Sequence, residues 1–231
     1  MLTPERLQKL EHVARNRQTG FTVVVEDVFD PHNLGAVTRT CDAFGIQDIN
    51  VIFEKQAEFD PKEIGKNTST STNKWINYRI HHGTQKGIQT LQDEGWLVVA
   101  TVIDEDADTI FDADLTHPKI AMLFGNEKLG LTEQAMTMAD KKVTIPMLGI
   151  AQSMNISVSA ALFIYEVTRQ RHAQGIARYM MEEDEVQQTL TYFIEMQNYF
   201  TKRNKRARQE RAFRREGLSL DDLPTLDDTS T

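Results

Sequence analysis

Residues 144–162 read TIPMLGIAQSMNISVSAAL. Val143, Thr144 and Ile145 form a β-branched run that Pro146 ends, because proline offers no N–H to a neighbouring strand. Gly149 allows a tight bend, and Ser153 and Asn155 put polar side chains where the next helix should begin. From Ser157 the chain reads SVSAALFIYEV, small residues followed by large apolar ones. Ser157, Ser159, Ala160 and Ala161 suit close helix packing, whereas Ser153 and Asn155 sit in a turn whose polar groups need partners. Strand, polar turn and helix in this order form the repeating unit of a parallel α/β sheet.

The same alternation extends back along the chain. Val- and Ile-rich runs predict strands at Thr22 to Glu26, Ile49 to Phe53, Leu97 to Thr101, Ile120 to Phe124 and Lys142 to Ile145. Helical spacing predicts helices at Asn33 to Gly45, Gly83 to Gly95, Thr132 to Ala139 and Met154 to Arg171. The fold class is therefore α/β, a mainly parallel sheet covered by helices. Residues 1–20 form an N-terminal helix, opened by Thr3 and Pro4, with Leu7, Leu10, Val13 and Ala14 on one stripe. Residues 21–172 make the α/β domain. A helical extension over 173–216 carries Val186, Leu190, Phe193 and Phe200 before a basic run, and 217–231 is an acidic tail expected to be disordered.

Composition narrows the function. No apolar run is long enough to span a membrane and the first twenty residues are charged, so a cytoplasmic protein without a membrane partner is expected. Cys41 is the single cysteine, and the six histidines lack zinc-ligand spacing, so no metal is expected. His81 and His82, adjacent on an extended run, point to opposite faces and read as solvent-facing polar residues. The net charge is −8, but Thr201 to Arg215 holds eight Lys/Arg against one Glu. That segment carries +7, leaving −15 for the remainder. Lys202, Arg203, Lys205 and Arg206 open this run, and a concentrated cationic patch on an acidic chain suits a polyanion such as RNA.

Three segments bear chemistry, each at the C-terminal end of a predicted strand, where open parallel sheets hold ligands. In DPHNLGAVTRTCDAFG, Asp30 to Gly45, Asn33 and Arg39 lie six residues apart, close in angle on one helix, and either share a site or serve as a cap and a surface cation. In LFGNEKLGLT, Leu123 to Thr132, Gly125 and Gly130 bracket Asn126, Glu127 and Lys128. Neither G-x-x-x-x-G-K-[ST] nor G-x-G-x-x-G occurs, which disfavours nucleotide-phosphate and dinucleotide cradles. The third segment is 144–162 itself. Gly125 and Gly149 are both expected to exclude a branched side chain.

Taken together, NLGAVTRTCDAFG, FGNEKLGL and IPMLGIAQSMNISVSAAL resemble the three signature motifs of the SpoU/TrmH branch of the SPOUT RNA 2′-O-methyltransferases, from about Phe21 to Arg171. The resemblance implies a C-terminal trefoil knot, a homodimer, and S-adenosylmethionine as cofactor. It also implies cofactor contacts at Thr101, Gly125, Ile145, Met147 and Met154, and active-site roles for Asn33, Arg39, Glu127, Ser153 and Asn155. In the family Arg39 would act as a phosphate-assisted base. A guanidinium resists deprotonation, so the alternative is that Arg39 grips the phosphate and stabilises the developing alkoxide. The apolar FIYEV stretch is a candidate for the dimer interface. A compact domain with helical extensions resembles the family members that methylate guanosine 18 in the tRNA D-loop; a ribosomal-RNA substrate and an idle, knotted RNA-binding protein are the alternatives.

Overall fold

The computed structural model describes residues 2–63 and 72–215; the acidic tail expected over 217–231 lies outside the described residues. Seven strands pair in parallel: β1 (Gln18–Glu26), β2 (Ile46–Phe53), β3 (Asn77–His82), β4 (Leu97–Val102), β5 (Asp108–Thr109), β6 (Ile120–Phe124) and β7 (Lys141–Thr144). Their order is β3-β2-β1-β6-β4-β7-β5. The helices are α1 (Pro4–Arg15), α2 (Pro31–Ala43), α3 (Thr84–Asp93), α4 (Glu133–Met138), α5 (Ile156–Ala173) and α6 (Glu183–Arg215).

Helices cover both faces of the sheet, so its central strands are apolar throughout rather than alternating. On β1, Val23 and Val25 join the core that includes Leu34, Val37 and Cys41 of α2 and Phe163, Ile164 and Val167 of α5. Val24, pointing the other way, joins Ile88 and Leu91 of α3 and Ala135 of α4. All five expected strands are present.

Two strands escaped the sequence pattern. β5 is two residues long, and β3 is a polar edge strand reading NYRIHH, on which only His81 is buried. His81 and His82 do face opposite ways, but the expectation that both meet solvent is corrected for His81. Its Nε2 lies 2.7 Å from the Asn50 Oδ1, and burial first, then Arg79, lowers its pKa. The pattern missed this because β3 borrows its partner from β2.

Contacts divide the chain into two units: Arg15–Glu182, and Met1–Ala14 with the C-terminal stretch from Glu183. The second unit contains α1 and α6. Thr3 opens α1, its Oγ1 accepting the Arg6 N–H at 3.3 Å, and Pro4 fills the first turn. Arg6 donates from Nε and Nη2 to the Gln197 Oε1 of α6 at 3.2 and 2.9 Å. Leu10, Ala14, Val186 and Phe193 are buried. Among the described residues no helix is long and apolar enough to cross a membrane.

The α/β unit is wider than the expected 21–172 because β1 begins at Gln18 and Arg171 ties down the chain beyond α5. Arg171 is fully buried and pairs with no carboxylate among the described residues. Its Nη1 donates to the Thr19 carbonyl at 2.9 Å and its Nη2 to the Gly20 carbonyl at 2.6 Å. The guanidinium sits 4.3 Å from the Tyr179 ring centroid and 5.3 Å from that of Phe21. Burial pushes its pKa down to about 10, so it stays charged at neutral pH, held by carbonyl dipoles and ring faces. Arg171→Ala would strand two part-buried carbonyls at about 1–3 kcal/mol each. Urea unfolding should show a loss of about 2–5 kcal/mol, whereas Arg169→Ala, on an exposed ion pair of the same helix, should cost less than about 1 kcal/mol.

Candidate active site

Three loops meet at the C-terminal ends of the central strands: residues 27–30 between β1 and α2, 125–132 between β6 and α4, and 145–155 between β7 and α5. Asp30 caps α2, accepting the His32 N–H at 2.9 Å, with Pro31 in the first turn. That backbone hydrogen bond, with the His32 ring, holds the Asp30 carboxyl below the ordinary range. Asn33 is therefore not the cap, and its side chain is available elsewhere.

The Asn33 Nδ2 donates to the Glu127 Oε1 at 2.7 Å, and the Asn155 Nδ2 donates to the Asn33 Oδ1 at 3.1 Å. Asn155 caps α5 with its own oxygen, which accepts from the Ser157 N–H at 2.8 Å and the Ser157 hydroxyl at 2.6 Å. Glu127 also accepts the backbone N–H groups of Phe29 at 2.8 Å and Asp30 at 3.3 Å. An ionised carboxylate only accepts, so it sets both amides: Asn33 must turn its NH₂ toward Glu127 and its oxygen toward Asn155. One residue from each of the three sequence motifs thus lies in one hydrogen-bonded chain.

Behind Glu127 the second loop is braced by Asn126 and Asp27. Asn126, only 7% exposed, donates its Nδ2 to the Asp27 carbonyl at 2.6 Å and accepts the N–H groups of Lys128 and Leu129 at 2.9 and 3.1 Å. Asp27 has φ 51°, a left-handed conformation that Asp and Asn tolerate better than most residues. Its Oδ1 accepts the backbone N–H groups of Glu54 at 2.8 Å and Gln56 at 3.1 Å. An Asn two residues before a free N–H is a readable Asx turn, so Asn126 had a local signal; Asp27 had none.

A cleft of about 450 Å³ opens between these strand ends. Thr101, Gly125, Ile145, Met147 and Met154 all line it, as do Glu127 and Ser153. Asn33, Arg39 and Asn155 do not line it. Arg39 is exposed on α2 and makes no hydrogen bond or ion pair among the described residues, so the structure does not join it to Asn33 directly. Asn33, Glu127 and Asn155 are brought together; Ser153 is exposed at the cleft wall. In the basic run, Lys202 and Lys205 are exposed, Arg203 lies 5.9 Å from the Phe200 ring centroid, and the Arg206 Nε pairs with Glu210 at 3.2 Å.

A parallel sheet with a cleft at its strand ends and three convergent loops is the arrangement in which open α/β sheets hold ligands. Residues 20–165 match the model of the SpoU rRNA Methylase family, and the chain belongs to that family. It is 39% identical over 174 residues to the tRNA (guanosine(18)-2′-O)-methyltransferase of Thermus thermophilus, covering 75% of this chain and 87% of that protein. It superposes on the A. aeolicus TrmH/SpoU tRNA modifying enzyme with a TM-score of 0.72 and 29% identity, covering 83% of this chain and 96% of that one. The SpoU methyltransferase AviRb from Streptomyces viridochromogenes, solved in complex with the cofactor AdoMet, gives a TM-score of 0.58 at 28% identity, over 69% of this chain and 61% of that one.

The two glycines expected to exclude side chains behave differently. A Cβ on Gly125 would lie 2.2 Å from the Leu131 nitrogen and 2.3 Å from the Gly130 carbonyl carbon, inside the loop's own backbone. A Cβ on Gly149 would meet no described atom within 4 Å beyond its chain neighbours, and its φ is not left-handed, so the described residues themselves demand no glycine there. Gly125→Ala should lower the melting temperature and abolish small-molecule binding in the cleft. Gly149→Ala should melt with the wild type in the same calorimetric scan.

Proposed function

We propose that this protein transfers a methyl group from S-adenosylmethionine to the ribose 2′-hydroxyl of guanosine 18 in tRNA. The observation that carries this reading is the convergence of Asn33, Glu127 and Asn155, one from each motif, beside a single cleft. The substrate follows from the 39% identity to the tRNA (guanosine(18)-2′-O)-methyltransferase.

The cleft fits the cofactor. Its volume of about 450 Å³ falls in the range of roughly 300–1,000 Å³ usual for small-molecule sites. Phe124, Ile145, Met147 and Met154 offer apolar surface for a base, while the Asp104 and Glu127 carboxylates suit a ligand bearing positive charge. Thr101, Gly125, Ile145, Met147 and Met154 would hold it, with backbone groups at the ends of β4, β6 and β7 making the polar contacts. When bound, S-adenosylmethionine supplies an electrophilic methyl group on a positively charged sulfur.

The chain's part is alignment and electrostatics. A ribose hydroxyl is a weak nucleophile at neutral pH, so its oxygen must be held in line and its developing charge stabilised. Among the described residues the Arg39 guanidinium has no protein partner; it grips an RNA phosphate and stabilises the alkoxide, while water or a phosphate oxygen takes the proton. Glu127, Asn33 and Asn155 keep the three loops in register around that reaction, and Ser153 presents its hydroxyl at the cleft wall.

The reading includes a homodimer, a C-terminal trefoil knot and a cytoplasmic location with the tRNA pool. Val158, Leu162 and Tyr165 form an exposed apolar stripe on α5, and Leu148 and Ile150 are fully exposed on the loop before it, which supports a partner there. Support for the knot comes from strand order: β7 lies between β4 and β5, and the chain then returns to α5 in the core shared with α2.

Two tests follow. Purified protein with labelled S-adenosylmethionine should modify a tRNA transcript at the guanosine 18 ribose, and a transcript carrying 2′-deoxyguanosine there should take no label. Arg39→Ala should lower turnover by about 10²–10³-fold with cofactor affinity unchanged, and Arg39→Lys should not restore it, since lysine lacks the planar fork. Near-normal turnover by the alanine variant would remove Arg39 from the mechanism. In the second test, truncation after Phe200 deletes the +7 segment together with the acidic Glu216, Asp221, Asp222, Asp227 and Asp228. RNA contacts there would be mostly to phosphate, so the KM for RNA should rise and the salt dependence of binding flatten, with the modified nucleotide unchanged.

A further inference from the structure

Phe29 and Lys128 are not explained by anything above. Phe29 follows β1 in the first loop and Lys128 follows Glu127 in the second, and each backbone N–H is held by a side chain of the second loop. The Phe29 N–H donates to the Glu127 Oε2 at 2.8 Å, and the Lys128 N–H donates to the Asn126 Oδ1 at 2.9 Å. Their side chains then meet: the Lys128 Nζ lies 3.8 Å from the Phe29 ring centroid, well inside cation–π range.

The ring gains little from the fold. Phe29 remains 52% exposed with a cation against it, while the neighbouring Val28 and Leu34 are buried in the core. Lys128 is exposed and lines the cleft. An aromatic ring held open to solvent, backed by a cation and anchored to the carboxylate that organises the site, has the chemistry of a nucleobase seat. Every base has a π-face to stack, and a cation close by suits the negative field of a flanking phosphate.

We infer that Phe29, positioned by Lys128, stacks on the base of the nucleotide whose ribose is methylated. This rests on the methyl-transfer reading above, but its test does not depend on turnover. Equilibrium affinity of the full-length protein would be measured for two tRNA transcripts, one intact and one abasic at position 18 with the ribose retained. Stacking on an aromatic side chain should make the intact RNA bind about 5- to 150-fold more tightly. Phe29→Leu should bring that ratio close to one, Phe29→Trp should preserve it, and Lys128→Met should reduce it by freeing the ring. Phe29 is half-exposed, so these variants should melt with the wild type. A wild-type ratio near one, or an unchanged ratio in Phe29→Leu, would overturn the seat. If the ratio behaves as stated but no methyl group is transferred, the methyl-transfer reading fails and Phe29 remains a seat for the base at position 18.

Discussion

The Glu127 carboxylate is the constraint on which the rest of the site depends. It cannot donate, so each group around it must, and the Phe29 N–H, the Asp30 N–H and the Asn33 amide all do. That polarity passes through Asn33 to Asn155 and so into the cap of α5. Loops from three separate strands are thereby held in one arrangement by a charge-assisted acceptor, the strong class of hydrogen bond. Behind it Asn126 repeats the logic with backbone groups, and Asp27 accepts a left-handed conformation to reach both Asn126 and the loop after β2. Strain and buried polarity gather where ligands are handled.

Rigid and open parts of the cleft have different physical origins. The loop at 125–132 is closed on itself, Asn126 and Gly130 exchanging backbone hydrogen bonds at 3.0 and 2.8 Å, and two glycines limit it, Gly125 through the protein's own backbone and Gly130 through its φ of 70°. Glu26 secures it from below: the fully buried carboxylate accepts from the Thr132 N–H at 2.8 Å, the Thr132 hydroxyl at 2.7 Å and the Thr84 hydroxyl. The loop at 145–155 lacks such bracing through its middle, where Leu148, Gly149 and Ile150 face outward. A site with one rigid wall and one exposed apolar wall suits a protein that must align a large substrate and also meet a partner.

Electrostatics divide the labour along the chain. Most of it is acidic, and the basic residues of α6 lie on the far half of a 33-residue helix whose first turn is Glu183, Asp184 and Glu185. Acidic residues at a helix start and basic ones at its end also oppose the helix dipole favourably. Local helix stability and a concentrated surface for a polyanion are therefore served by the same residues.

The sequence by itself determined the parallel α/β class, because buried central strands must be continuously apolar and helices must alternate with them, and all five apolar strands were legible. It also determined the charge contrast and the order of the three motifs. Only the tertiary structure found β3 and β5, since an edge strand and a two-residue strand need too few apolar side chains to leave a pattern. His81 was misread for the same reason: its burial is supplied by Asn50 on another strand. Whether Asn33 was a cap or a site residue was open until Asp30 took the cap, and Gly149 looked as constrained as Gly125 although a Cβ there would meet no described atom within 4 Å. Period and composition report what each residue does to its own segment. Which donor meets which acceptor across ninety or more positions, as Asn33 meets Glu127, is decided where the sheet brings strand ends together.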